Sequence, residues 1–399
     1  MKKCKSMVWL LASSILLSGS AIATTHTLDK ARQLAQQSII VDTHIDVPYR
    51  LQEKWQDVTQ AIEDGDFDYP RAKTGGLNAP FMSIYIPARL DDSTESTALA
   101  HKLIDYIEAL VGRAPEKFAL ARTVQDVRQQ FKQGLISLPL GMENGSPIQG
   151  DLSNLQLFHD RGIRYITLAH SKSNHISDSS YDDNRKWQGL SPFGKELVPE
   201  MNNIGIMVDV SHISDAAFYQ VIAVSQAPVI ASHSSLRKFT PGFERNMDDE
   251  MLKALAKNNG VIQINFGSSF VSEVAQNWRN KMKAKQKKLE EIAGKDSAKL
   301  TTFEADYKAQ NPYPYATVGN VLDHIDHVVK LIGIDHVGIG SDFDGVGDTL
   351  PEGLKDVASY PNLIQGLMDR GYSSTDIKKI LGENFLRVWQ AVETYGEQH

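Results

Sequence analysis

His44 and Asp46 stand one residue apart just past the apolar run Ser38-Ile39-Ile40-Val41. An imidazole and a carboxylate leaving a buried strand together can grip one divalent cation, and the chain between them is too short for much else. Two ligands need a third, so the pair makes a demand on the rest of the chain. Polar residues in matching places answer it. They are Glu143 in Gly141-Met142-Glu143-Asn144-Gly145, His170 after Ile166-Thr167-Leu168-Ala169, His212 in Val208-Asp209-Val210-Ser211-His212, His233 in Ala231-Ser232-His233-Ser234-Ser235, and Asp342 in Gly340-Ser341-Asp342-Phe343-Asp344-Gly345. Each follows a strand-like run. Four histidines and three carboxylates so placed suit two divalent ions about 3.5–4 Å apart that share a carboxylate and a water. Sharing makes that water nucleophilic near neutral pH, which is chemistry for hydrolysing an amide or ester. His101, His159, His175, His324, His327, His336 and His399 lie on helices or loops without the pattern and read as structural.

The elements that must position these groups are short apolar runs alternating with amphipathic stretches. Strands are predicted near Ile39–Asp42, Phe81–Ile86, Leu135–Leu140, Tyr165–Leu168, Gly205–Val210, Val229–Ala231, Val261–Phe266 and Val337–Ile339. Helices are predicted over Leu28–Gln37, opening at Thr27, and over Leu152–Arg161, capped by Asp151. Two more fall over Ala216–Val224, capped by Ser214, and Met251–Asn258, capped by Asp248 or Asp249. Acceptor side chains at these positions satisfy the first free amides of a helix. The alternation predicts an α/β fold, a (β/α)8 TIM-like barrel, whose strand carboxyl ends converge on one face and carry the chemistry. A doubly wound open sheet competes, but no Gly-x-Gly-x-x-Gly follows a strand, which argues against a dinucleotide fold. Residues 273–310, rich in Lys, Glu, Gln and Ala, read as a helical insertion between the seventh and eighth strands, closed by Pro312 and Pro314. Its charge suggests a solvated face, not a binding tract.

The ends and the composition bound the setting. Lys2, Lys3 and Lys5 precede the apolar run Met7–Leu17 and the small-residue stretch Ser18–Ala23. That pattern predicts a signal peptide over residues 1–23, cut before Thr24, and one domain over 24–399. The apolar run is too short to span a bilayer, so no stable membrane anchor is expected. The sole cysteine, Cys4, lies in the removed part. Metal must then be held by His, Asp and Glu, a set that suits zinc, manganese or cobalt. Net charge is −7 before three lysines are lost, and no basic stripe exists to neutralise phosphates, so nucleic acid is excluded as a partner. Export of a cysteine-free chain points to a bacterial periplasm.

His44-x-Asp46, Glu143, the run Gly162–His170, Ser211-His212, Ser232-His233-Ser234-Ser235, Arg245-Asn246 and Gly340–Gly345 resemble the renal or membrane dipeptidase family, the M19 metallopeptidases, in that family's order. The resemblance implies an amidohydrolase-like barrel with two Zn2+ that cleaves dipeptides and tolerates a D-residue at the carboxyl-terminal position. It implies that His44 and Asp46 hold one zinc, that Glu143 bridges both, and that His212 and His233 hold the second. Asp342 would move the proton of the shared water to the leaving amine, His170 would steady the substrate carbonyl, and Arg245 would pair with the substrate's terminal carboxylate. A homodimer is left open. Two departures stand out. Asn144 replaces the family's glycine and is expected to crowd or reshape the pocket, and the loop from His233 to Arg245 is slightly long. Other barrel hydrolases, such as cyclic amidases, lactonases and phosphotriesterases, often bridge their metals with a modified lysine. Here no lysine follows a central strand, while Glu143 is available. A non-catalytic binding protein on the same fold would have lost a ligand or Asp342, and none is missing.

Overall fold

Eight parallel strands close into a barrel in the computed structural model, which describes residues 28–294 and 297–399. The expected signal peptide and the cap at Thr27 lie outside the described residues. The strands are β1 (Val41–Ile45), β2 (Ala79–Tyr85), β3 (Leu140–Glu143), β4 (Ile163–Thr167), β5 (Met207–Asp209), β6 (Ile230–Ser234), β7 (Val261–Ile264) and β8 (Val337–Ile339). They follow one another around the barrel in chain order, and β8 pairs with β1. Seven lie where the sequence places them, shifted by a few residues. The third is corrected. Residues 136–138 pair instead with 118–120 in a separate two-stranded sheet, and the barrel strand starts at Leu140. Pro139 divides the apolar run, because it brings no amide to a ladder.

Successive side chains of a strand point to opposite faces, and both faces are buried here. Val41, Phe81, Tyr165, Met207, Ile230 and Val261 form one cluster with Phe385 and Trp389 of the helix Asn384–Gly396. Their neighbours Ile40, Met82, Ile166, Val208, Ala231 and Ile262 belong to a second cluster shared with the surrounding helices. The first set therefore fills the barrel interior. The C-terminal helix closes that end, with Phe81 5.1 Å from Phe385 and 5.2 Å from Trp389 between ring centroids.

Two residues further along each strand the inward face turns polar. Gly141 gives way to Glu143, Tyr165 to Thr167, Met207 to Asp209 and Ile230 to Ser232, while Val261 leads through Gln263 to Asn265. Tyr85, Glu143, Thr167 and Asp209 are partners in register across four strands, so they form one layer near the strand ends.

Barrel closure depends on Asp42. Its Oδ1 accepts from the amides of His44 at 3.2 Å and Ser341 at 2.9 Å, and its Oδ2 accepts from the Tyr360 hydroxyl. The first and last strands are thereby tied at the end that carries His44 and Asp342. The helical insertion forms a hairpin of Glu273–Ala293 and Ala298–Gln310 between β7 and β8, as expected. No helix among the described residues is long and apolar enough to cross a membrane.

His324, expected to be structural, is fully buried beside Phe239. Its Nδ1 accepts from the Leu236 amide at 3.1 Å, and its Nε2 faces Val271 O at 3.3 Å. Burial lowers its pKa from 6.5 to about 3. The folded ring is neutral, whereas the unfolded ring takes a proton near its ordinary pKa. Its contribution to stability is present above pH 6.5 and is lost as pH falls toward 3. The slope is at most about 1.4 kcal/mol per pH unit. Denaturant unfolding at pH 7 and pH 4.5 should show this loss, and His324→Gln should flatten it. Equal slopes in both proteins would dismiss this account.

Candidate metal centre

His44 and His233 reach the barrel interior because their strands are irregular. A strict alternation from Val41 and Ile230 would aim Thr43 and Ser232 inward and the two histidines outward. The ladder register slips between Asp42 and Ile45 and again between Ala231 and Ser234. A bulge of this kind lets two successive side chains share a face. The two imidazoles stack with centroids 3.7 Å apart.

Glu143 is the hub of the cluster. Its Oε2 lies 3.5 Å from His44 Nε2, which is itself 3.4 Å from Asp46 Oδ2. Its Oε1 lies 3.1 Å from His212 Nε2, 3.3 Å from His233 Nε2 and 3.6 Å from His170 Nε2. Candidate metal-holding sets are His44–Glu143–His233, Glu143–His170–His212 and His44–Asp46–Asp342. All seven strand-end residues singled out in the sequence thus meet in one place. Their strand positions need one adjustment. His44, Glu143 and His233 lie within strands, while Asp46, His170, His212 and Asp342 follow theirs closely.

The electrostatics suit a cation. Burial opposes the charge on Glu143, yet the imidazoles of His44 and His170, with those of His212 and His233 in close contact, hold it well below the ordinary range. Burial likewise opposes a charged His44, but Tyr165, Glu143 and Asp46 lift it well above the usual value. Burial keeps His212 and His233 well below theirs. Neutral imidazoles beside carboxylates are the form that metals bind, and a metal displaces the proton that His44 otherwise attracts. His44 Nε2 and Asp46 Oδ1 are buried and have no hydrogen-bond partner, as a ligand atom would be. The donor set fits divalent metal.

Two histidines are held in the ligand tautomer by groups that sequence reading passed over. Tyr165 donates its hydroxyl to Thr43 O at 2.9 Å and so accepts from His44 Nδ1 at 3.0 Å. Gly141 makes room for it, since a Cβ there would lie 2.0 Å from the Tyr165 ring. Ser232 donates to Asp209 Oδ2 at 2.6 Å and accepts from His233 Nδ1 at 2.8 Å. Both arrangements leave Nε2 bare for a metal. Asp209 is thus a buried orienting carboxylate. Period-two spacing from Met207 and Ile230 was the available signal. Ser232→Ala is expected to weaken metal affinity about 10- to 100-fold. A competition titration against a zinc chelator reads this, and an unchanged affinity would dismiss the relay.

Asp342 is buried, and its Oδ2 accepts from Asn265 Nδ2 at 2.7 Å. Burial pushes its carboxyl up to about 7, with His44 pulling it down and Asp46 and Glu143 raising it further. Gly345 permits the close approach here. A Cβ at that position would lie 2.3 Å from both Asp342 Oδ1 and Asp46 Oδ2. Asp344 turns away to Arg50, 3.0 Å distant, and accepts from the Asp66 amide at 2.7 Å. Asn144, His212, Asp342 and Asp344 all take positive φ, between 65° and 78°. Such strain in non-glycine residues gathers at functional sites.

The expectation for Asn144 is corrected. At φ 78° the position favours glycine, and asparagine is among the side chains that tolerate it. The side chain leaves the cleft. It donates to Ile86 O at 2.9 Å and Asp91 Oδ1 at 2.7 Å and accepts from Asn174 at 2.9 Å. Arg245 lies beside the cluster, buried, donating to Ser234 Oγ and His233 O at 2.7 Å each, with Nε unpartnered.

The cluster opens into a cleft of about 830 Å³. The insertion, expected to be solvated, supplies part of its wall through Trp278, Arg279, Met282 and Lys283. Sequence reading missed these residues, because apolar positions are sparse on a helix that packs against a wet cleft.

Residues 28–399 match the family model for membrane dipeptidase, peptidase family M19. The chain is 34% identical over 336 residues to dipeptidase tcpJ of Claviceps purpurea, covering 82% of this chain and 70% of that protein. The probable dipeptidase PvdM from Pseudomonas aeruginosa superposes with a TM-score of 0.80 at 27% identity, over 93% of this chain and 99% of that one. A metallopeptidase from Rhodobacter sphaeroides, liganded with a phosphinate mimic of the dipeptide L-Ala-D-Ala, gives 0.73 at 26% identity, over 89% and 99%.

Proposed function

Because this chain belongs to the membrane dipeptidase family, peptidase family M19, we propose that it is an exported zinc dipeptidase that accepts a D-residue at the carboxyl-terminal position. One observation carries the two-metal part of this reading. The two oxygens of Glu143 face different partners, Oε2 toward His44, which in turn meets Asp46, and Oε1 toward His212, His233 and His170. That division suits a carboxylate shared by two ions. Zinc bound there would polarise the peptide carbonyl and make water nucleophilic near neutral pH.

The chain's own residues do the rest. Asp342, lining the cleft beside Asp46, takes the proton of the attacking water and returns it to the leaving amine. His170, which also lines the cleft, is neutral because burial lowers its pKa, so it offers one N–H to the carbonyl oxygen as charge builds there. Arg245 holds the substrate's carboxylate with the N–H groups not spent on Ser234 and His233. The cleft is of a size that encloses a small ligand, and the Rhodobacter relative with its L-Ala-D-Ala mimic supports tolerance of a D-residue. Export rests on the basic and apolar start of the chain.

A panel of dipeptides with L and D residues at each position, assayed with and without chelator, tests the reading. L-Ala-D-Ala should be cleaved, the activity should vanish on chelation, and zinc should restore it. Cleavage of lactones or phosphotriesters with no dipeptide turnover would overturn the proposal.

A further inference from the structure

The insertion brings two cations to the cleft that have no anionic partner among the described residues. The other basic residues of the wall are paired. Arg50 meets Asp344 at 3.0 Å, Lys172 meets Asp182 at 3.3 Å, and Lys308 meets Glu304 at 3.4 Å. Arg279 and Lys283 line the same cleft without an ion pair. They lie four residues apart on the helix Glu273–Ala293, so their heads share one face.

Arg279 is placed by stacking. Its guanidinium carbon lies 5.9 Å from the Tyr181 ring and 5.8 Å from the Phe270 ring. Arg245 lies 5.5 Å from that same Phe270 ring. The two arginines are therefore neighbours across one aromatic side chain, Arg245 against the metal cluster and Arg279 further out. Partial burial lowers the Lys283 pKa, and the charge of Arg279 lowers it further. Glu53 is the one wall carboxylate outside the metal cluster that has no ion pair among the described residues, so free positive charge prevails.

We propose that the insertion makes the enzyme selective for dipeptides whose carboxyl-terminal residue bears an acidic side chain, with Arg279 and Lys283 receiving that second carboxylate. This rests on the dipeptidase reading above, with Arg245 holding the first carboxylate. An aspartate- or glutamate-like leaving residue carries its two carboxylates a few carbons apart, as two neighbouring cationic seats require.

The test compares kcat/KM for L-Ala-D-Glu and its neutral isostere L-Ala-D-Gln. A charged hydrogen-bonded contact of this kind is worth roughly ten-fold in favour of the acid, shrinking as salt is raised. In the double variant Arg279→Gln, Lys283→Gln the ratio should fall to near one, with folding checked by the thermal midpoint. Arg279→Glu should instead favour L-Ala-D-Lys. A ratio of one in the wild type, or a preference that survives the double substitution, overturns the proposal alone. If no dipeptide is hydrolysed at all, the dipeptidase reading falls and takes this inference with it.

Discussion

Asp342→Asn is expected to lower kcat on L-Ala-D-Ala by about 10²- to 10⁴-fold, the range for losing a positioned proton-transfer group, while metal content stays intact. The substitution keeps shape and an oxygen for Asn265 to donate to, but it removes the ability to take up a proton. The position is demanding in every respect. The residue is buried, its backbone is left-handed at φ 65°, and Gly345 leaves it just enough room. Because Asp342 also falls within ligand distance of His44 and Asp46, metal content must be measured on the same sample. Loss of metal together with activity would make Asp342 a ligand, and full activity would remove it from the mechanism.

Glu143→Gln is expected to be as damaging by another route. Volume is conserved, but the shared negative charge disappears from among four imidazoles, His44, His170, His212 and His233. Wild-type protein should carry about two zinc ions per chain, and the variant one or none, with hydrolysis at background. Elemental analysis decides this. Two ions with full turnover in the variant would exclude Glu143 as the bridge.

The barrel was legible in the sequence because parallel strands buried on both faces must be continuously apolar, and Val41, Val208, Ile230 and Ile262 obey that rule. The same rule hid the break at Pro139, where one apolar run serves two strands in different sheets. The ligands were legible because polar residues at the ends of apolar runs have few other reasons to be there. What orients them was not. Tyr165 reads as an ordinary core aromatic, and Ser232 and Asp209 read as strand-end polarity, until the ladder slips that turn His44 and His233 inward are seen. Such slips depend on pairing between strands distant in the chain, which a single sequence does not display. The insertion was legible as helices, but a charged face beside a cleft looks the same in sequence as a charged face in bulk water.

The clamp that Asp42 makes with Ser341 and Tyr360 has a consequence for synthesis of the protein. His44 and Asp46 are made early, Asp342 nearly three hundred residues later, and the carboxylate of Asp42 must wait for both late partners. A chain that stops short of the last strand has the other ligands but lacks Asp342 and the Ser341 and Tyr360 groups that tie the two ends of the barrel together. The proton-transfer group and the barrel's closing bonds are therefore supplied together, by the same late stretch of chain.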